Sequence, residues 1–166
     1  MCGIVGVAAK REVGNILLEG LRRLEYRGYD SAGLAILDAS GSLHRLRTLG
    51  KVESLNEAYK DNPLEGSLGI AHTRWATHGK PSEKNAHPHR SGGAAIVHNG
   101  IIENHETLKS ALKDSGYIFE SDTDSEVIAH QLNFELKHAE NFRDGMISLL
   151  NKLEGAYAIA VVDETN

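Results

Sequence analysis

Apolar residues along the chain come in two rhythms, short continuous runs and helical spacings, separated by glycine, proline and polar turns. Residues 3–9 form a continuous apolar run, which predicts a short strand buried on both faces. Val13, Ile16, Leu17, Leu21 and Leu24 then recur at helical spacing, with Glu12, Glu19, Arg22, Arg23 and Glu25 on the other side. That helix should stop near Arg27-Gly28, where Gly28 can take a left-handed cap. Gly14 and Gly20 weaken it, and Gly20 marks a close contact. Residues 34–37 and 42–49 flank the turn Asp38-Ala39-Ser40-Gly41 and predict a hairpin. A short helix carrying Leu55, Ala58 and Tyr59 ends before Pro63.

Residues 68–73 predict a strand, and residues 94–98 another that ends on Asn99-Gly100. Between them lies a polar stretch of about 20 residues without regular pattern, and long stretches of this kind are usually functional or disordered. Trp75 and the nearby histidines favour function. A helix from about 104 to 115 follows, with Asn104 as N-cap, then a short strand at 117–119. Thr123 and Glu126 have the spacing of a capping box, which would open a helix near Asp124. Phe142, Met146, Leu149, Leu150 and Leu153 predict one more helix, and residues 156–162 a final apolar strand. The class is α+β, with antiparallel hairpins among helices. A strand at the very end leaves an edge that needs cover or a partner, so the chain is expected to be C-terminally incomplete.

Composition narrows the function. A chain of 166 residues suits one well-filled core, and 40% hydrophobic with 25% charged residues fits a soluble domain. Lys+Arg of 18 against Asp+Glu of 23, a net charge of −5, argues against a nucleic-acid partner. No run reaches the ~20 apolar residues of a membrane helix, and no signal peptide is visible. One cysteine forms no intrachain disulfide, which fits a cytoplasmic setting.

That cysteine is the centre of the chemistry. Cys2 follows Met1 directly. Once Met1 is removed, Cys2 carries a thiol and a free α-amine on one residue, and the amine's reference pKa of about 7.7–8.0 leaves a useful neutral fraction to take the thiol proton. The other reading is a lone, partly buried strand cysteine. If Met1 stays, the adjacent base is lost and little turnover is expected. Asn99-Gly100 reads either as a hairpin turn or as an oxyanion hole built from the Asn amide and a Gly N–H. Arg74 is either a surface arginine or a bidentate carboxylate clamp. Asp124 is either a first-turn helix acid or the partner of a substrate ammonium. His72, His78, His87 and His89 raise the question of a metal, but no second cysteine, acidic ligand spacing or helical His-Glu-x-x-His accompanies them, so no metal is expected.

Five stretches then carry a resemblance in register. They are residues 1–6 (Met-Cys-Gly-Ile-Val-Gly), 21–33 including Tyr-Arg-Gly-Tyr-Asp-Ser, 72–79 (His-Thr-Arg-Trp-Ala-Thr-His-Gly), 98–104 beginning His-Asn-Gly, and 122–124 (Asp-Thr-Asp). Together they resemble the glutaminase domain of the glucosamine-6-phosphate synthase family, within the class II, N-terminal-nucleophile glutamine amidotransferases. The resemblance implies a four-layer αββα sandwich of two stacked antiparallel sheets, with residues 1–166 as one glutamine amidotransferase type 2 domain. It implies hydrolysis of the side-chain amide of L-glutamine through a cysteinyl thioester on Cys2, with Asn99 and Gly100 as the oxyanion hole. Arg74, Thr77 and His78 would hold the substrate carboxylate, Asp124 its ammonium, and Trp75 would be a mobile wall. Arg27 and His87 would be supporting residues.

No cofactor is implied. The partners implied are C-terminal sugar-phosphate isomerase domains outside this chain, fructose-6-phosphate through those domains, and a homo-oligomeric full enzyme. A different acceptor such as phosphoribosyl pyrophosphate, or a non-catalytic glutamine-binding or regulatory module, are the other readings.

Overall fold

Alternation along the strands decides where each layer of the molecule forms. The computed structural model describes residues 2–27, 29–75 and 79–164, without the side chain of Arg27. Met1, Gly28 with its cap, Thr77 and His78 therefore lie outside the described residues. Four strands, β1 (Gly3–Ala8), β2 (Ser31–Leu37), β3 (Leu43–Leu49) and β4 (Leu68–Arg74), form one antiparallel sheet in the order β1-β4-β2-β3. Three more, β5 (His89–Ser91), β6 (Ala94–Ile102) and β7 (Gly155–Asp163), form a second antiparallel sheet in the order β5-β6-β7.

Successive strand side chains point to opposite faces. On β2, Ala32, Leu34 and Ile36 face the helices α1 (Gly14–Leu24) and α2 (Val52–Asp61), and meet Leu17, Leu18, Leu21, Val52 and Leu55 there. Ala35 points the other way and joins Ile70, Ala95, Val97 and Val162 in the layer between the sheets. On β6, Ala94, Ile96 and Ile102 face Ile128, Ala129, Leu132 and Leu149. The last four belong to α4 (Ser125–Leu136) and α5 (Phe142–Lys152), while α3 (His105–Asp114) lies against α4. The result is helices, sheet, sheet, helices, the αββα order expected. No helix among the described residues is long and apolar enough to cross a membrane.

Local details differ from the sequence reading for physical reasons. β1 is an edge strand, so Gly6 and Ala8 are exposed rather than buried. Gly20 does mark a close contact, since a Cβ there would lie 2.9 Å from Val5 of β1. The described part of the polar stretch after β4 contains a 3-10 turn at Glu83–Asn85 and the three-residue β5, held by pairing with β6. β6 does not end before Asn99-Gly100 but continues through them, because β7 pairs with it along its whole length. Residues 117–119 form no strand: Ile118 is 81% exposed, and Tyr117 and Phe119 pack against the His130 ring.

Asn104 takes the N-cap position of α3 as predicted, but neither predicted N-terminus makes its side-chain cap hydrogen bond. The Asn104 side chain donates to the Lys152 carbonyl and accepts from the Glu154 N–H instead of capping α3. Glu126 accepts from the backbone N–H groups of Glu120 and Ser121 and from the Ser121 hydroxyl, so it ties down the preceding loop rather than closing a capping box with Thr123. β7 pairs only with β6 among the described residues.

Candidate active site

One end of the layer between the sheets is polar. On β4 the residues facing that layer are Ile70, His72 and Arg74; on β6 they are Ala95, Val97 and Asn99. β1 is in register with β4 so that Gly3 lies opposite Thr73 and Ile4 opposite His72, which brings Cys2 to the same end. The apolar filling of the layer thus gives way to a nucleophile, a cation and an amide.

The Cys2 thiol sits between the backbone groups of Trp75, accepting from its N–H at 3.2 Å and lying 3.6 Å from its carbonyl oxygen. Asn99 Nδ2 donates to the Cys2 carbonyl at 3.3 Å. Gly100 follows inside β6 with φ +128°, a conformation side chains rarely adopt. A Cβ there would also lie 2.2 Å from the Ala156 carbonyl oxygen, so the site requires glycine at that point.

Arg74 is buried, and its guanidinium lies 3.5 Å from Asp30 and donates to the Gly79 carbonyl at 3.0 Å. Asp30 in turn accepts from the Ser31 hydroxyl. Asp124 is the residue before α4, and its Oδ2 accepts the Ile102 N–H at 3.0 Å. His98 Nδ1 lies 2.8 Å from the Ser125 hydroxyl, next to Asp124.

Cys2, Arg74, Trp75, His87, Gly100 and Asp124 line one small cavity of about 30 Å³ together with His98, Thr123 and Ser125. That is room for a water or two, not for an amino acid. Trp75 is 53% exposed, so little packing holds this wall in place. A much larger groove, about 650 Å³, lies along the outer side of α1 by Val5, Ile16 and Gly20; it carries no nucleophile and is remote in character from this chemistry.

Four buried histidines stand at the cavity, His87 and His98 in its lining and His72 and His89 beside them. His72 and His87 stack with ring centres 4.1 Å apart, and His87 meets His89 edge-on at 4.8 Å. Burial pushes His72 down to about 4 and His89 to about 3, and it holds His87 well below the ordinary imidazole range. Burial also lowers His98, against the opposing pull of Asp124. All four are neutral near pH 7. Among the described residues no group of three or more His, Cys, Asp or Glu is arranged to hold a metal ion.

The structure therefore gathers Cys2, Arg74, Trp75, His87, Gly100 and Asp124 around one cavity, with Asn99 bonded to Cys2. Thr77, His78 and the Arg27 side chain lie outside the described residues. Sequence reasoning missed Asp30 and Ser125, and weighed His72 only as a metal ligand. The one signal for Asp30 was its place in the Tyr-Arg-Gly-Tyr-Asp-Ser stretch.

Stacked antiparallel sheets between helical layers, with Cys2 at one end of the layer between them, define the class of N-terminal-nucleophile amidotransferases. A family model described as glutamine amidotransferase domain matches residues 72–166, and the chain belongs to that family. The glutamine–fructose-6-phosphate aminotransferase (isomerizing) of Salmonella typhi is 61% identical over 163 residues, 98% of this chain and 27% of that protein. The enzyme of the same name from Escherichia coli (strain K12) is 60% identical over the same share of both chains. Among solved structures, the glutamine phosphoribosylpyrophosphate amidotransferase from B. subtilis matches with a TM-score of 0.82 at 28% identity, over 99% of this chain and 35% of that one. The chain thus spans about a quarter of the length of the curated relatives it matches.

Proposed function

We propose that this chain is the glutamine-hydrolysing domain of an enzyme that passes the released ammonia to fructose-6-phosphate. The observation that carries the reading is the Cys2 thiol at the rim of a cavity it shares with Arg74, Gly100 and Asp124, with the Asn99 amide bonded to Cys2 itself. After removal of Met1, the α-amine of Cys2 takes the thiol proton. Sγ then attacks the amide carbon of glutamine, and the carbonyl electrons move onto oxygen, where the Asn99 N–H₂ and the Gly100 N–H receive the charge. The C–N bond breaks, the nitrogen takes the proton from the α-ammonium, and ammonia leaves. Water then attacks the γ-glutamyl thioester, which returns the thiol and releases glutamate.

Arg74, fixed in its plane by Asp30, faces the substrate α-carboxylate, and Asp124 faces the α-ammonium. Thr77 and His78 assist Arg74, while Arg27 and His87 support the site. Trp75 swings out to admit glutamine and back to exclude water. Residues 1–166 act as one type 2 amidotransferase domain, and the sugar-phosphate chemistry belongs to a part of the enzyme outside this chain. Fructose-6-phosphate is preferred over phosphoribosyl pyrophosphate as acceptor because the relatives named for the former are 60–61% identical, against 28% for the latter. A lone thiol that must stay reduced suits the cytoplasm.

The test is intact mass and N-terminal sequencing on the same sample assayed for glutamate release from glutamine. A Cys2 terminus with activity that Cys2→Ala abolishes supports the reading. Retained Met1 with full turnover would sink the α-amine as base.

A further inference from the structure

An oxyanion donor works only if its N–H already points at the place where charge will develop. A primary amide has two similar ends, so something must decide which way Asn99 faces. His72 supplies that decision. Its ring is 1% exposed, in the layer between the sheets, and leans on the His87 ring. Nε2 lies 3.1 Å from the His98 carbonyl oxygen and 2.8 Å from Asn99 Oδ1.

A backbone carbonyl only accepts, so Nε2 must carry the proton. The same N–H then requires an oxygen on the Asn99 end that faces it. With Oδ1 held there, Nδ2 is turned to the other side, where it meets the Cys2 carbonyl at 3.3 Å. A flipped amide would set two donors face to face at His72 and two acceptors face to face at Cys2. Both ends therefore select one orientation. The ring stays neutral through the working pH range, since burial opposes its protonation.

We propose that His72 is a positioning residue, which through Nε2–H holds the Asn99 amide with its N–H₂ turned toward the nucleophile. The proposal rests on the reading of Asn99 as an oxyanion donor. A histidine that merely fills the core would affect stability alone; one that aims the amide affects the affinity for a tetrahedral adduct and spares the ground state.

Two probes separate these. L-glutamate reports ground-state binding. Glutamate γ-semialdehyde takes the Cys2 sulfur at its aldehyde carbon: the S–H bond breaks, its proton passes to the α-amine, a C–S bond forms and the carbonyl π electrons move onto the oxygen, with no redox change. Kd is measured for both with the full chain bearing its mature terminus, in wild type, Asn99→Ala, His72→Phe, His72→Gln and the Asn99→Ala/His72→Phe pair.

Losing an oxyanion donor costs roughly 10²–10³-fold, so Asn99→Ala should weaken the semialdehyde by that factor while glutamate changes little. His72→Phe keeps the ring and removes the donor; misaiming the amide should cost roughly 10- to 100-fold on the semialdehyde alone. Gln places an N–H at about the reach of Nε2, so His72→Gln should stay near wild type. The pair should bind no worse than Asn99→Ala, because the two changes disable one device.

If Asn99→Ala leaves the ratio of the two affinities unchanged, the oxyanion reading fails and takes the proposal with it. If Asn99→Ala lowers the ratio but His72→Phe does not, only the positioning role is overturned. Should His72→Phe fail to fold, ¹⁵N NMR of the wild-type imidazole decides. A proton on Nε2 supports the assignment, and a proton on Nδ1 overturns it.

Discussion

Asp124 and Glu126 stand two residues apart at the start of α4, both buried, yet their neighbours give them different work. Burial pushes the Glu126 carboxyl up, but the His130 ring 3.5 Å away and hydrogen bonds from Glu120 and Ser121 outweigh it and hold the group at about 2. That carboxylate is satisfied within the fold. Asp124 accepts the Ile102 N–H through one oxygen and lines the cavity beside Cys2. Asp124→Asn keeps an oxygen for Ile102 and removes only the charge. Hydrogen bonds to charged groups contribute about 1.5–3 kcal/mol, so KM for glutamine should rise roughly 10- to 100-fold with little loss of stability. Glu126→Gln should do the reverse, lowering the urea midpoint with KM near wild type. Steady-state kinetics beside urea denaturation checks both, and an unchanged KM in Asp124→Asn would remove Asp124 from substrate binding.

At the scale of elements, β2 shows how the site and the sheet constrain each other. Gly33 faces the layer between the sheets, and a Cβ there would lie 2.2 Å from the His87 carbonyl oxygen and 2.8 Å from that of Leu46. Both obstacles are backbone, so neither can swing aside. Overpacking of this kind costs about 1–3 kcal/mol, and Gly33→Ala should lower stability by that amount and reduce glutaminase activity as the His87 segment is pushed off β2. Gly6 on the β1 edge has nothing within 4 Å of the same position, so Gly6→Ala is the control that should change stability by less than about 0.5 kcal/mol.

The contrast explains what the sequence made legible. Long elements announce themselves by their apolar residues: the leucines of α1 recur at helical spacing, and the apolar runs of β2, β4 and β6 lie within the observed strands. β5 is three residues long and exists only because β6 offers it partners, which no local pattern encodes. Tyr117 and Phe119 have strand character but pack on His130 instead. In the site, Cys2, Arg74, Asn99, Gly100 and Asp124 stood out by type and motif. Asp30 and His72 act through Arg74 and Asn99, at separations of 44 and 27 residues, so the motifs contain them but only geometry shows what they do.

For the molecule as a whole, the row of neutral histidines between the sheets ties stability to pH. An imidazole in the unfolded chain takes a proton near its ordinary 6.5, whereas burial holds His72 to about 4 and His89 to about 3. Between those values the unfolded chain binds more protons than the folded one, so stability falls as pH falls. The contribution is fully present above pH 6.5 and is lost on the way down to the folded values. For His72 alone, the step from pH 7.5 to 5 amounts to about 2 kcal/mol, and His87, His89 and His98 act in the same direction. Carboxylates act lower: Glu126 shifts from 4.5 to about 2, so its loss belongs below pH 4.5. The histidines therefore dominate from neutrality to pH 5. The unfolding free energy from urea denaturation should drop steadily across that range, and the drop should be smaller by about 2 kcal/mol in His72→Gln, which removes one titrating ring while keeping its donor. Equal slopes in wild type and His72→Gln would show that His72 is protonated alike in both states, and that burial of the histidine row does not govern acid unfolding.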